Sequence, residues 1–409
     1  MGLFSSGTSD VRYGAIVDVG SGSVLVSIIK SDIASDHPEV VWSKREYVLL
    51  KDTVTVQQGA KNILTALMNG ILALGKEGIA TLKQTEGTTK IGQIQFSISA
   101  PWSYTISKTV NFTDDAEFEI TKTLIAELTE AAQKKTLEEL KGNEITELLG
   151  LEIIARTTTD LIANGYRTEQ PYGQQTKKLS LAHVSAVAQQ DLIEALGQAQ
   201  EKIMPRAQVE KFSFMLVYYC VMRELYPTAT EFCLVDVTFE ATEIAIIRDG
   251  IFKYSTHAPY GSYTLARELS EALQIPKEEA FSLLKKPHEQ CVEELPASKR
   301  EAFQKVIRGY QQLITDLFKQ TGDALTIPKT IYLHADLYTE MFFHNSIDLA
   351  AQEATRGSHI IHEVTSELLT KNYRPEEKKA LKKDLVDTAL LISAQFFHKQ
   401  HHCKDFEQL

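Results

Sequence analysis

The 409-residue chain carries 43 lysines and arginines against 54 aspartates and glutamates, a formal net charge of -11, with 43% hydrophobic and 24% charged content. That is ordinary globular composition, long enough for two sizeable cores. Its cations are dispersed among acids, which excludes a broad nucleic-acid surface, because phosphate binding needs clustered Lys and Arg.

From the start, Met1-Gly2-Leu3-Phe4-Ser5-Ser6 lacks the apolar core of a signal peptide. Gly2 and Ser6 match a loose myristoylation pattern that is too short to count. No uninterrupted apolar stretch approaches bilayer-crossing length, so a cytosolic protein is expected. The four cysteines, Cys220, Cys233, Cys291 and Cys403, form no CxxC pair and fit a reducing compartment.

The first structured unit reads as a hairpin: an apolar strand through Val17-Asp18-Val19, a turn at Gly20-Ser21-Gly22-Ser23, and a β-branched strand ending Ile28-Ile29-Lys30. A third strand follows from Val40 to Leu50, then a helix with Ile63, Leu64, Leu67 and Ile71 on its apolar face, then a strand from Gln93 to Ala100. Phe118 to Lys134 reads as a helix, and Leu151 to Asp160 and Lys178 to Ala188 as strands joined by a loop with Pro171 and Gly173. At Val235-Asp236-Val237 the hairpin begins again and ends at Ile246-Ile247-Arg248. The offset is 218 residues at both ends, from 17 to 235 and from 28 to 246. A repeat of that length means duplicated domains. A third strand, Ile251 to His257, and a helix with Leu265, Leu269 and Leu273 follow, as in the first half. Consecutive helices then run from Lys277 to Gly322, with Ala302, Val306, Ile307, Tyr310 and Ile314 at helical spacing. A strand is expected from Thr330 to His334, and a last helix carries Leu385, Ala389, Leu390, Ile392, Phe396 and Phe397.

The Asp-Val-Gly-Ser-Gly-Ser hairpin, its repeat, and the module between them together resemble the actin-like ATPase superfamily, and the inserted module resembles that of FtsA and PilM. Further likeness lies in Asp249-Gly250, Ala258-Pro259-Tyr260-Gly261, Ala266-Arg267-Glu268-Leu269 and Pro276-Lys277-Glu278-Glu279-Ala280. The resemblance implies an α/β fold of duplicated actin-like (ribonuclease H-like) domains flanking a cleft, with an inserted SHS2 α/β subdomain. It divides the chain into 1–101 (first half, 1A), 102–188 (SHS2, or 1C), 189–231 (return to the first half), 232–365 (second half with a reduced, helical 2B) and 366–409 (C-terminal helices packing back on the first half).

In this family the two hairpin turns grip nucleotide phosphates, since glycine allows close backbone approach and successive N–H groups make an anion-binding nest. The resemblance places Gly20, Ser21, Gly22 and Ser23 in the first phosphate turn, with Asp18 positioning a metal-bound water and serving as the catalytic candidate. The second turn is degenerate: Asp236, Thr238, Glu240 and Thr242 stand where the family has a glycine run, Phe239 adds bulk, and the Glu240 carboxylate repels phosphate unless a cation intervenes. At the adenosine subsite, His334 and Ala335 replace a Gly-Gly pair. ATP with Mg is the cofactor that the fold implies, and these departures predict a pseudo-ATPase.

No resident metal site is expected: His398 and His402 at i, i+4, with His401 and Cys403 beside them, read as a polar helix end. His183 and His257 read as structural. The reduced 2B points away from an FtsA-like ATP-binding polymer that tethers the division machinery, and the broken phosphate turn points away from a small-molecule kinase. What remains is a PilM-like scaffold or adaptor in a type IV pilus-like or cell-division-like assembly. The resemblance to PilM then implies binding of the cytoplasmic tail of a membrane protein through the first-half and 1C surface, a place at the inner membrane through that partner, and room for self-association as a ring or filament.

Overall fold

A computed structural model describes residues 11–50, 56–141, 150–168, 170–320, 327–374 and 387–402. Met1 to Ser6, Leu385, Cys403 and the side chain of His402 lie outside the described residues.

The chain opens on a meander of β1 (Val11–Val19), β2 (Ser23–Asp32) and β3 (Glu39–Tyr47), passes through α1 (Val56–Ala73) and α2 (Ile79–Glu86), and returns as β4 (Gln93–Ile98). Then come β5 (Ser103–Glu119), α3 (Lys122–Lys141), β6 (Leu151–Ala163), the short β7 (Tyr166–Arg167) and β8 (Gln175–Gln189). Next, α4 (Gln190–Ile203) and β9 (Gln208–Ser213) lead to α5 (Phe214–Leu225). The second meander is β10 (Phe232–Val237), β11 (Thr242–Arg248) and β12 (Ile251–Ala258), followed by α6 (Ser262–Leu273), α7 (Lys277–Leu283), α8 (His288–Glu294) and α9 (Ala297–Gln320). The chain ends through β13 (Thr330–Ala335), α10 (Glu340–Thr355), β14 (Ile360–Glu363) and α11 (Thr388–His402).

These strands form two five-stranded sheets of one topology, β3-β2-β1-β4-β9 and β12-β11-β10-β13-β14. In each, the meander is antiparallel and the last two strands join in parallel. The duplication extends to register. Val17 faces Val26 and Val235 faces Ile244, while the bulge between Ile28 and Ile29 recurs between Ile246 and Ile247. A one-residue slip would exchange the faces of every strand, so matched registers and bulges carry the same buried and exposed sides into both halves.

A third, antiparallel sheet, β5-β8-β6-β7, is inserted between β4 and α4. Its core joins Val110, Ile120, Leu179 and Leu181 to Leu128 and Ala132 of α3. The helix expected from Phe118 starts at Lys122 instead. Phe118 lies near the end of β5, packing edge-to-face on Phe112 at 4.8 Å, and Thr121 Oγ1 accepts the Leu124 N–H as the cap. Sheet pairing outweighs the helical spacing there.

Buried α5 lies between the main sheets, with Ser213 as its N-cap. Beside it, α11 places Leu390, Ala394 and Phe397 on Ile16, Leu25 and Ile29, and Ile392 and Phe396 toward α5. The run Gln58–Glu86 meets the length and apolarity of a membrane span, which the sequence reading did not expect. It is a core element here, burying Ile63, Leu67, Ile71 and Leu82 against the first sheet.

Candidate functional site

β1 and β10 end at neighbouring turns, each presenting a buried aspartate one residue before its turn, Asp18 and Asp236. In the first turn Gly20 N–H donates to Ser23 O, and Trp102 Nε1–H, just after β4, donates to Gly20 O at 3.0 Å. In the second, Thr238 N–H donates to Ala241 O, while Ser262 and Tyr263 at the start of α6 donate their N–H groups to Thr238 O and Phe239 O. Gly261 is required for that approach, because a Cβ there would meet Thr238 O at 2.2 Å.

The two turns touch. Ser21 Oγ–H donates to Thr238 Oγ1 at 2.8 Å, and the Glu240 N–H donates to Ser21 Oγ at 2.7 Å. A Cβ on Gly22 would lie 2.5 Å from Phe239 Cβ, so the space made by that glycine is filled by the Phe239 side chain. Phe239 is fully buried and packs on Tyr263 at 4.4 Å between centroids; the Tyr263 hydroxyl reaches Val48 O in the first half. Donors that a phosphate nest would need are thus spent between the turns, and a phosphate chain does not fit between Gly22 and Phe239.

The Glu240 carboxylate, set against phosphate in the sequence reading unless a cation intervenes, is already paired. The intervening cation is the protein's own: Arg267 Nη1 and Nη2 grip its carboxylate at 2.8 and 2.6 Å, and Thr264 Oγ1 donates to it at 2.9 Å. Thr242 Oγ1 donates to Tyr260 O. His334, which the resemblance set at the adenosine subsite, is turned into the core. Its ring is buried against Phe214 and Tyr218, and Nδ1 donates to Asp236 Oδ1 at 2.7 Å. Ala335 ends β13 and is fully buried. Beyond it Leu337 and Tyr338 hold φ of 58° and 62°, the left-handed region that a glycine pair would occupy without strain.

Around Asp18 lies a charge cluster only partly legible in the sequence. Arg45 of β3 sits 3.7 Å from Asp18, donates to Ser23 Oγ, and pairs with Asp387 at 2.7 Å. Burial pushes the Asp18 carboxyl up to about 7 against the opposing charge of Arg45, with Asp387 and Asp236 adding to the rise. Asp336 is likewise pushed up to about 7 by burial, over the opposing charge of Arg45. For His334, burial lowers and the hydrogen bond and charge of Asp236 raise; the balance is a rise to about 9. Asp18 Oδ1, Asp236 Oδ2 and Asp336 Oδ2 are buried without a hydrogen-bond partner among the described residues. Yet no group of three or more His, Cys, Asp or Glu among the described residues is arranged to hold a metal ion. As the two turns stand, Phe239 fills the space over Gly22 that a phosphate chain would take. The signal for Arg45 was its place on β3 opposite Leu25; nothing in the sequence joined it to Asp387.

A second concavity lies beside the inserted sheet. Cavities of about 620 and 470 Å³ share Thr157, Thr159 and Arg167 as walls, so they flank one stretch of β6. One is closed by α3, the other by α5 and Lys399 of α11. His183 lines the first; His257 lies on β12 beside Tyr104, its centroid 5.8 Å away. His398 and His401 both turn their Nδ1 atoms to Ser31 Oγ, at 2.8 and 2.9 Å.

No family model and no curated protein sequence matches the chain. Solved structures do. The PilM-PilN type IV pilus biogenesis complex aligns with a TM-score of 0.57 at 10% identity, covering 96% of this chain and 98% of that one. The ethanolamine utilization protein EutJ from Carboxydothermus hydrogenoformans aligns at 0.44 and 11% identity, covering 94% and 90%. A Bacteroides thetaiotaomicron protein described as having an actin-like ATPase fold aligns at 0.39 and 8% identity, covering 93% and 98%.

Proposed function

We propose, for a chain with the actin-like ATPase fold whose two phosphate turns close on each other, the role of a non-hydrolysing scaffold that binds a segment of a protein partner. The carrying observation is Phe239 seated against Gly22, with Ser21 bonded to Thr238. Binding a triphosphate requires separating those contacts and freeing the Glu240 N–H, with nothing in the second turn to replace them.

The likeness to PilM, solved as a complex with PilN, supports a protein ligand. In this role residues 102–188 are an SHS2 (1C) subdomain set into a first half of 1–101 and 189–231, with 232–365 the second half and 366–409 the returning C-terminal segment. The partner is the cytoplasmic tail of a membrane protein, held at the surface between the first half and 1C, and the chain reaches the inner face of the membrane through it. The concavity along β6, whose walls come from the inserted sheet, α3, α5 and Lys399, supports this reading.

Isothermal calorimetry with Mg-ATP is expected to give no binding heat at micromolar protein. Micromolar binding, or sedimentation only when ATP is present, would instead establish a nucleotide-driven polymer. Crosslinking in cells is expected to recover a single-span membrane protein; recovery of none overturns the scaffold role.

A further inference from the structure

We infer that the outer edge of β5 pairs antiparallel with the same edge of a second copy of this chain, Asn111 facing Asn111 across a two-fold axis. The pairing stands apart from the scaffold role above.

The edge is open. β5 is the outermost strand of its sheet and pairs with β8 alone. Gln189 N–H donates to Trp102 O directly before the first pair, Ser103 with Ala188. Even-numbered residues of β5 therefore exchange hydrogen bonds with β8, and odd-numbered ones turn their N–H and C=O outward. The phase agrees at Thr105 O, which accepts from Ser255 Oγ of β12 instead. Past that contact Thr109, Asn111 and Thr113 are exposed, and their outward backbone groups have no partner among the described residues. The run Thr109-Val110-Asn111-Phe112-Thr113 holds no charge, proline or glycine, so it lacks the usual protection against strand addition.

The side chains select the occupant. Opposite charges bracket the run, Lys108 before it and Asp114 after it. Laid antiparallel on itself about Asn111, the run sets Lys108 against Asp114, Thr109 against Thr113 and Val110 against Phe112 of the other copy. Each is a favoured cross-strand pair: opposite charges, two threonines, and a β-branched residue on an aromatic one. Moving the axis to Val110 sets Lys108 against Phe112, and moving it to Phe112 sets Asp114 against Val110, so charge fixes the register. At the axis Asn111 Oδ1 accepts from Ser180 Oγ at 2.6 Å and keeps a second lone pair, which lets the two amides bond reciprocally. A foreign strand needs no such symmetry. β5 leaves its ladder after Thr113 and rejoins it at Phe118, so the paired run is short. It buries less than a standard interface, and the dimer is weak in solution.

The test follows the full chain by sedimentation equilibrium up to about 0.5 mM, where interfaces below standard size associate. The average mass should rise toward that of a dimer. Asn111→Asp opposes two carboxylates at the axis, and Thr109→Pro removes an outward N–H without touching a bond to β8. With thermal unfolding unchanged, each should weaken association at least about tenfold. Register is read by oxidising single cysteines in a Cys403→Ser background, since Cys220, Cys233 and Cys291 are buried. Asn111→Cys should give a disulfide-linked dimer, because opposed residues of such a pair have Cα atoms about 5.5 Å apart. Thr109→Cys alone should not, its counterpart being Thr113, and mixing it with Thr113→Cys should restore the link. A monomer at every concentration, undiminished association of both variants, or equal oxidation of Asn111→Cys and Thr109→Cys would overturn the pairing. Each of those results leaves the scaffold role untouched.

Discussion

Ser21 Oγ and Thr238 Oγ1 are 2.8 Å apart across 217 residues of sequence, and through them the turns of the two repeated hairpins are sewn together. One contact layer thus joins the two halves at their turns. The energetics of that layer, of its flanking ion pair, of the buried charges behind it and of the C-terminal helix are each open to measurement.

Phe239→Ala empties a fully buried site and should cost about 3–5 kcal/mol in denaturant unfolding. Gly22→Ala should also destabilise, by about 1–3 kcal/mol, because its new Cβ would fall 2.5 Å from Phe239 Cβ. Combined, the two should cost less than their sum, since each relieves the other. Strict additivity would mean that the turns do not pack in solution.

Arg267→Ala leaves Glu240 half-buried without its bidentate partner. The side chains are 17% and 22% exposed, between a surface and an interior pair, so a loss of about 1–3 kcal/mol is expected. Adding Glu240→Ala should restore part of it. A midpoint unmoved by Arg267→Ala would remove the pair from the stability of the second turn.

Stability should fall as pH rises from 6 to 9.5. His334 has a folded value raised from 6.5 to about 9, so its contribution is complete below 6.5 and lost as pH passes 9. Asp18 and Asp336 are raised from 3.8 to about 7; their favourable protonated state is complete below 3.8 and lost through 7. All three slopes have one sign. Calorimetric melting should show the decline, and His334→Gln should flatten its upper part. A wild-type curve rising over this range would contradict the buried charge arrangement.

Gly14→Ala should loosen α11 from the first sheet. A Cβ there would lie 2.3 Å from the Phe397 ring, whose face is stacked by Arg12 at 4.3 Å. Limited trypsin digestion followed by mass spectrometry should show faster cleavage at Lys399, which is guarded by its ion pair with Glu224. Equal rates in variant and wild type would argue that α11 is held elsewhere.

Much of the fold was readable because the hairpin repeat is local. Val17-Asp18-Val19 and Val235-Asp236-Val237 carry the same alternation and the same offset to their second strands, and those patterns set strand pairing. The start of α3 was misread because the spacing of Phe118 and Ile120 suits a helix as well as the end of a strand, and only pairing of Phe118 with Thr176 decides it.

At the site, the resemblance set Thr238, Phe239 and Glu240 where the family has glycines, and on that ground the second turn was read as degenerate. What fills the gap could not be seen there. That Phe239 enters the space over Gly22, that Arg267 neutralises Glu240, and that Asp387 reaches Arg45 beside Asp18 are contacts between segments far apart in sequence. Short-range periodicity fixes which face a residue takes on its own strand or helix. Which distant side chain meets that face is decided only when the two halves pack, because burial and charge pairing act through space and not along the chain.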